Sequence, residues 1–435
     1  MGSRADHLFS FFTPGAVARS AVGLAAFSVR HPVHFFRFLR KAFRDRRAFV
    51  LLLRLPVDLR TIRLSPLFDR EWYAANHPEI AELGMSPELH YLLRGAASGW
   101  RPSPAFSGAV YLDLNPEVRA SGLNPLVHYE QYGRFIDCPT SVEDDRPPEP
   151  VFPVGSRALE IDFGETPCAH ARTAVFATFS RDGRIEERDL FYLRGLREAC
   201  DNVIAVFNSP ILPGEEGKLE GIASAAVFRY HGGYDFGSWR IGMRLARERG
   251  WLEPSVCGEL VFANGSCYAP VRPFSEMFHA MKRRRADFWG VTFSTQRTEA
   301  PHLQSFFLAF RRPILDAGAL EAFFAERPER ATRREAIDLY ELQLTAFLRG
   351  RGFVPDAFVR SLLPNLHGFN PTTRPLDLIR RHNAPLVKVK AMHGQSIQSA
   401  ERILSLVRRL NPALAEVIER DLCRRLPSSG SGPAA

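Results

Sequence analysis

The chain has 435 residues, of which 45% are hydrophobic and 24% charged, and it carries a formal net charge of +9. The length exceeds one ordinary core and predicts two or three domains. No run approaches the ~18 apolar residues of a spanning helix, which excludes an integral helical membrane protein. The positive surplus suits anionic partners: nucleic acid, an acidic membrane surface or phosphorylated substrates. Six cysteines (Cys138, Cys168, Cys200, Cys257, Cys267, Cys423) form no C-x-x-C and no metal-ligand spacing. They are expected as free thiols in a reducing compartment.

Residues 1–66 form a basic, aromatic leader. Ala21–Val29 lacks the basic start and small-residue cleavage site of a signal peptide. Between Phe35 and Arg47, Phe35, Phe36, Leu39 and Phe43 share one face and Arg37, Arg40, Lys41 and Arg44 another. That is a cationic amphipathic helix, suited either to an anionic membrane interface or to packing on the protein's own core.

Residues 67–138 hold an internal repeat. Phe68, Tyr73, Pro78-Glu79, Gly84, Pro87, His90-Tyr91 and Gly95 return, 38 residues later, as Phe106, Tyr111, Pro116-Glu117, Gly122, Pro125, His128-Tyr129 and Gly133. So many matches at one offset predict two small helical units stacked into one module. His90 and His128 lack a Cys or carboxylate cluster and are expected as packing histidines rather than metal ligands. Residues 139–172 follow as a linker, Pro-rich and acidic over 139–160.

From residue 173 to 390 strands and helices alternate, which predicts a mostly parallel α/β sheet. Strands are expected at Ala174–Phe179, Val203–Phe207, Ala225–Tyr230, Leu260–Ala263, Asp287–Phe293 and Ser305–Phe310. Helices are expected at Glu187–Ala199, Ser238–Arg249, Phe274–Met281, Leu315–Glu326 and Arg333–Arg349. Two more helices, Ile397–Leu410 and Ala413–Leu426, fill residues 391–426, with Asn411-Pro412 as N-cap and first helical residue. The small polar residues of 427–435 predict a disordered tail.

Four clusters could carry chemistry. The glycine-rich turn His231–Gly237 contains Tyr234, Asp235 and Gly237 and runs into a helix, so its N–H groups suit a phosphate; Asp235 could equally be an N-cap. Asn264-Gly265-Ser266 stands at a strand's carboxyl end, where α/β proteins bind ligands. It also matches the N-glycosylation pattern, which carries no weight in a cytosolic chain. Asp287-Phe288-Trp289-Gly290 and His302-Leu303-Gln304-Ser305 supply groups that stack on and hydrogen-bond a sugar. No G-x-G-x-x-G and no P-loop appears, so neither NAD nor P-loop nucleotide chemistry is expected, and no iron–sulfur or haem cofactor either.

Residues Ala174 to about Lys390 resemble the rhamnan synthesis protein F family of bacterial polysaccharide glycosyltransferases. The pieces that carry the resemblance are Asp182-Gly183-Arg184-Ile185, Gly233–Trp239, Tyr268-x-Pro270, Asp287–Thr292, His302–Phe307 and Asn370-Pro371-Thr372. The resemblance implies a GT-A-like (Rossmann-like) α/β fold preceded by the small helical repeat module. It also implies transfer of a sugar, such as rhamnose or a related deoxyhexose, from a nucleotide-sugar donor to a glycan acceptor of the cell surface. Tyr234, Asp235, Gly237, Asn264 and Ser266 would then bind the donor. Trp289, His302 and Gln304 would hold the sugar and acceptor, and Asp287, His302 or Glu341 would be the general base. Glu341 could equally be a solvated residue of its helix.

The family usually carries Asn-Asp-Ser where this chain has Asn264-Gly265-Ser266. If Mg2+ or Mn2+ offsets the leaving diphosphate, Asp235 or Asp287 must hold it. Otherwise a cation such as Arg240, Arg272 or Lys282 takes that part. The lost carboxylate also motivates a rival: a non-catalytic protein that binds a glycan or nucleotide sugar. The expected location is cytoplasmic, with the leader (residues 1–66) able to hold the chain peripherally on the membrane's inner face. No nucleic-acid motif accompanies the basic charge, so no specific nucleic-acid partner is expected.

Overall fold

A computed structural model describes residues 46–131, 133–135, 138–141, 150–164, 171–295, 301–360, 370–393 and 397–425. The expected leader helix up to residue 45, Cys168 and the tail from Pro427 lie outside the described residues. Two compact units divide at Asp144/Asp145.

In the first unit, helix α1 (Arg46–Leu64) buries Leu55, Asp58 and Ile62, which share one face at helical spacing. Gln131 Nε2 donates to Asp58 Oδ1 (3.2 Å) and to Thr61 Oγ1 (3.0 Å), so the one acidic residue of α1 is a bonded core group. Among the described residues no helix is long and apolar enough to cross a membrane.

Beyond α1 the same contacts occur at positions 38 apart. The Tyr73 hydroxyl lies 3.2 Å from His90 Nδ1, and the Tyr111 hydroxyl lies 2.8 Å from His128 Nδ1. Tyr73 meets Tyr91 edge-on at 5.7 Å, as Tyr111 meets Tyr129 at 5.7 Å. A Cβ at Gly95 would collide with the Tyr73 hydroxyl, and one at Gly133 with that of Tyr111. Glycine is therefore needed where the closing turn passes over the tyrosine. The histidines bond phenols inside the core, as expected of packing residues.

The second unit is built on one large mixed sheet. Its strands are β1 (Leu159–Asp162), β2 (Ala171–Thr178), β3 (Asn202–Phe207), β4 (Ala225–Phe228), β5 (Cys257–Asn264), β7 (Phe288–Ser294), β8 (His302–Leu303), β9 (Phe307–Arg311) and β10 (Pro355–Val359). A separate pair joins β6 (Cys267–Tyr268) to β11 (Val387–Lys388). The order is β1-β4-β3-β2-β5-β9-β7-β10, with β8 beside β7. Strands β4, β3, β2, β5, β7 and β10 run in one direction, and β1, β8 and β9 run against them.

Helices α2 (Glu187–Arg197), α3 (Tyr234–Glu248), α4 (Phe274–Lys282) and α5 (Leu342–Gly350) alternate faces. Helices α2 and α4 pack on one side, with Ala174 and Phe176 of β2; α3 and α5 pack on the other, with Val175 and Ala177. A strand covered on both faces needs apolar residues at every position, which explains the runs Ala174–Ala177 and Val203–Phe207.

The expected β5–α4–β7 unit forms, but its strands are not neighbours. Strand β9 lies between them, antiparallel to both. The single helix expected over Arg333–Arg349 contains a π-helical stretch, Ala336–Glu341, before α5. Helices α6 (Pro375–His382), α7 (Ile397–Leu410) and α8 (Pro412–Arg425) form a third cluster with Tyr268, Val387 and Val389. Asn411 caps α8 by accepting from Leu414 N (3.1 Å), and its amide donates to Pro270 O (2.8 Å).

Candidate functional site

The chain leaves β2 toward β3 and β4 on one side and later returns to place β5 on the other. The direction of connection thus reverses between β2 and β5, although the helices that follow them, α2 and α4, pack on one face; open α/β sheets bind ligands at the carboxyl ends of strands at such a point. Thr178 ends β2 and Asn264 ends β5, opposite Ala177. The site residues gather around this point.

Asn264 is the hub. Its Nδ2 donates to Asp235 Oδ2 (2.6 Å), and its Oδ1 accepts from Ser266 N (3.2 Å) and from Ser266 Oγ. Lys388 Nζ donates to Ser266 Oγ (3.2 Å). The side chains therefore run Lys388, Ser266, Asn264, Asp235 in one chain of hydrogen bonds. Asp235 sits in the first turn of α3. Trp239, one turn further on, fixes that turn: it is fully buried, donates from Nε1 to Ala263 O (3.0 Å) and stacks on Phe262.

Burial pushes the Asp235 carboxyl up to about 6, and the negative charge of Glu341 adds to this; the Lys388 charge and the Asn264 hydrogen bond pull the other way. Glu341 ends the π-helical stretch and accepts from Ser305 N at 3.3 Å.

Gly265 has no room for a side chain. A Cβ there would stand 2.7 Å from Thr178 Oγ1 and 2.9 Å from Asp189 Oδ1. Asp189, on α2, is buried and accepts from Thr178 Oγ1 (2.7 Å). Burial raises its carboxyl to about 7, against the pull of Arg188 and the Thr178 bond. A carboxylate thus fills the space into which a side chain at 265 would point, but it comes from another helix. Arg188 also faces Asp421 of α8 (3.6 Å), whose carboxylate accepts from the Tyr268 hydroxyl, so this network ties α8 to α2 and β6.

In the glycine-rich turn the glycine N–H groups have partners within the fold. Gly232 N donates to Asn208 Oδ1 (3.3 Å), Gly233 N to His231 Nδ1 (3.1 Å) and Gly237 N to Gly233 O (2.8 Å), so its glycine N–H groups are spent internally. His231 Nε2 lies 3.0 Å from Ser238 Oγ. Since Nδ1 accepts, Nε2 carries the proton, and burial with Arg229 pushes the ring's pKa down to about 4. Tyr234 begins α3 with a left-handed backbone, φ 50°.

Two expected residues lie elsewhere. Asp287 precedes β7, at the sheet end opposite Asn264, and its Oδ2 accepts from Val354 N (2.8 Å). Trp289 is fully buried beside Phe278 and Phe307 and donates to Glu259 Oε1 (2.8 Å). It has no open face for a sugar. The amino end of β7 carries both residues, so a strand read without its direction placed them at the wrong edge.

His302 and Gln304 do lie by the carboxyl end of β7. His302 pairs with Ser294, and Gln304 Oε1 accepts from Thr292 Oγ1 (2.7 Å); both residues are buried. Of the expected cations, Arg240 bonds Phe324 O and Arg327 O away from the turn, and Lys282 ends α4 at the amino side of β7. Lys388 takes the place beside Ser266. It lies 122 residues from its partner in a stretch with no motif, and only the β6–β11 pairing reveals it.

A resident Mg2+ or Mn2+ does not fit these residues. Among the described residues no group of three or more His, Cys, Asp or Glu could hold a metal ion. At the turn, Asp235 already accepts from Asn264, and an ammonium stands beside Ser266.

Fold and site together define a mixed α/β protein with a cluster of polar side chains at the carboxyl ends of β2 and β5. The sequence model of the rhamnan synthesis protein F family matches residues 203–424, and the chain belongs to that family of polysaccharide synthesis. The match runs from β3 into α8 and spans Asp235, Asn264, Ser266, Glu341 and Lys388. The uncharacterized protein y4gN of Sinorhizobium fredii is 27% identical over 203 residues, 46% of this chain and 51% of that relative. The chain thus matches about half the length of the curated relative.

Proposed function

We propose that the chain is a glycosyltransferase that moves rhamnose, or a related deoxyhexose, from a nucleotide-sugar donor to a growing cell-surface polysaccharide or lipopolysaccharide. The observation that carries this is the polar cluster at the carboxyl ends of β2 and β5, where one carboxyl, Asp235, is held by Asn264 with its pKa raised toward neutrality. A general base works best when its pKa is near the working pH, and Asp235 meets that condition. In this reading the acceptor hydroxyl gives its proton to Asp235 as its oxygen bonds the anomeric carbon. The bond from that carbon to the diphosphate breaks, and its electron pair leaves on the diphosphate. Glu341 keeps Asp235 basic through like charge. His302 and Gln304, buried at the carboxyl end of β7, would act in this reading by holding that strand end rather than by open contact with the sugar.

Support for a GT-A-like architecture comes from six co-directional strands interrupted by one antiparallel strand, β9, next to the site. The rival non-catalytic reading rested on the missing carboxylate at 265. Asp189 occupies that space, so glycine there is a packing requirement rather than a sign of decay. We further propose that the protein sits at the cytoplasmic face of the membrane, held by the cationic leader; deleting residues 1–45, which spares the core helix α1, should then move it from the membrane fraction to the supernatant.

The test is a pH–rate profile with dTDP-rhamnose and a rhamnan oligosaccharide. The expected kcat/KM rises with pH through a single ionisation near 6, and the Asp235→Asn variant loses about 100-fold or more. Full activity in Asp235→Asn would remove Asp235 from the mechanism.

A further inference from the structure

We propose that Lys388 is the cation that receives the charge of the leaving diphosphate, in the part a divalent metal would play at a carboxylate-rich strand end. The inference rests on the transferase reading.

The delivery of Lys388 is built into the fold. Strand β11 pairs antiparallel with β6, Lys388 facing Cys267 and Val387 facing Tyr268. Strand β6 begins directly after the Asn264-Gly265-Ser266 turn. Val389 N donates to Ser266 O (2.9 Å), which fixes β11 against the turn itself. Val387 and Val389 are anchored in the cluster of Tyr268, Ile379 and Ile403, so the third layer of the domain holds this lysine in register. Its Nζ lies 3.2 Å from Ser266 Oγ and 4.6 Å from the centre of the buried Phe306 ring. The ammonium therefore stands partly desolvated over an aromatic face, where its charge is worth more than in water.

The chemistry fits one ligand class. An ammonium has three donors, and Ser266 takes one. Asp235, the nearby carboxyl, is bonded to Asn264 rather than ion-paired with the lysine. A diphosphate seated here would accept from the N–H groups of the ammonium that Ser266 does not take. As the anomeric C–O bond breaks, its electron pair moves to the diphosphate oxygen beside Lys388, and the acceptor's proton goes to Asp235. Lys388 stays protonated throughout.

Calorimetric titration of the full chain with dTDP in excess EDTA tests this, using Lys388→Met, Lys388→Gln and Lys388→Arg, each checked by thermal unfolding. The wild type should bind dTDP without metal. Lys388→Met and Lys388→Gln should bind it about tenfold to a hundredfold more weakly, the loss of one charge-assisted contact. Their affinity for thymidine should be unchanged, and Lys388→Arg should keep most of the dTDP affinity. Unchanged dTDP affinity in whichever neutral variant folds would overturn the proposal and leave the transferase reading standing. So would wild-type binding that EDTA abolishes and Mn2+ restores. A wild type that binds no nucleoside diphosphate or nucleotide sugar under either condition would overturn both.

Discussion

Replacing Asp235 by Asn should stabilise the protein at neutral pH, and the gain should vanish in acid. Burial lifts the Asp235 carboxyl from 3.8 to about 6, with Glu341 adding to the lift. A carboxyl whose pKa rises on folding binds its proton more tightly in the native state. Its contribution to stability is complete below the unfolded value near 4 and is lost as the pH climbs through 6. A rise of about two units corresponds to roughly 3 kcal/mol, an upper figure for a partly solvated group. Asparagine keeps an oxygen to accept from Asn264 and never ionises. Urea unfolding of both proteins from pH 4 to pH 8 measures the difference. Asp235→Asn should match the wild type near pH 4 and exceed it by about 1–3 kcal/mol above pH 7. A difference that stays constant across this range, or that favours the wild type at high pH, would refute the burial argument.

Three further outcomes follow from the packing. Gly265→Ala should cost about 1–3 kcal/mol, because the new methyl meets Thr178 and Asp189 inside van der Waals distance; Gly265→Asp should cost more and gain no metal-dependent turnover. Asp421→Ala should cost about 1–3 kcal/mol, since it strips the buried Tyr268 hydroxyl of its acceptor and Arg188 of its α8 partner while Glu186 and Asp189 still face that arginine, and proteolysis should then cut first in the C-terminal helices. Trp289→Phe should lower Tm through the lost bond to Glu259 while donor affinity holds, which separates it from Lys388→Met.

Much of the second unit's architecture was legible because its strands are buried on both faces and read as short apolar runs between turn residues. Helix α3 begins four residues earlier than expected: periodicity does not register Tyr234–Gly237, whose apolar residues are too few. Strand direction was not legible. Asp287 and Trp289 read as strand-end chemistry, yet they open the expected strand Asp287–Phe293 and so lie at the amino end of β7, away from the end where α/β sheets bind ligands. Asn264, Ser266 and Asp235 were found because turn chemistry after an apolar run marks a strand's carboxyl end. Lys388 is not marked by the sequence because its partner Ser266 lies 122 residues away across the β6–β11 pair, and Asp189, bonded to Thr178 of β2, sits in a helix where no local motif singles it out. Gly265 was read as a loss, since steric need at a glycine appears only once its neighbours are placed.

The most direct measurement is a single-turnover assay with purified protein, dTDP-rhamnose and a rhamnan oligosaccharide, with the acceptor followed by mass spectrometry. An acceptor heavier by one deoxyhexose, formed by the wild type and not by Asp235→Asn, is the expected result. An unchanged acceptor with dTDP-rhamnose and with every other nucleotide sugar tried would contradict the transferase assignment.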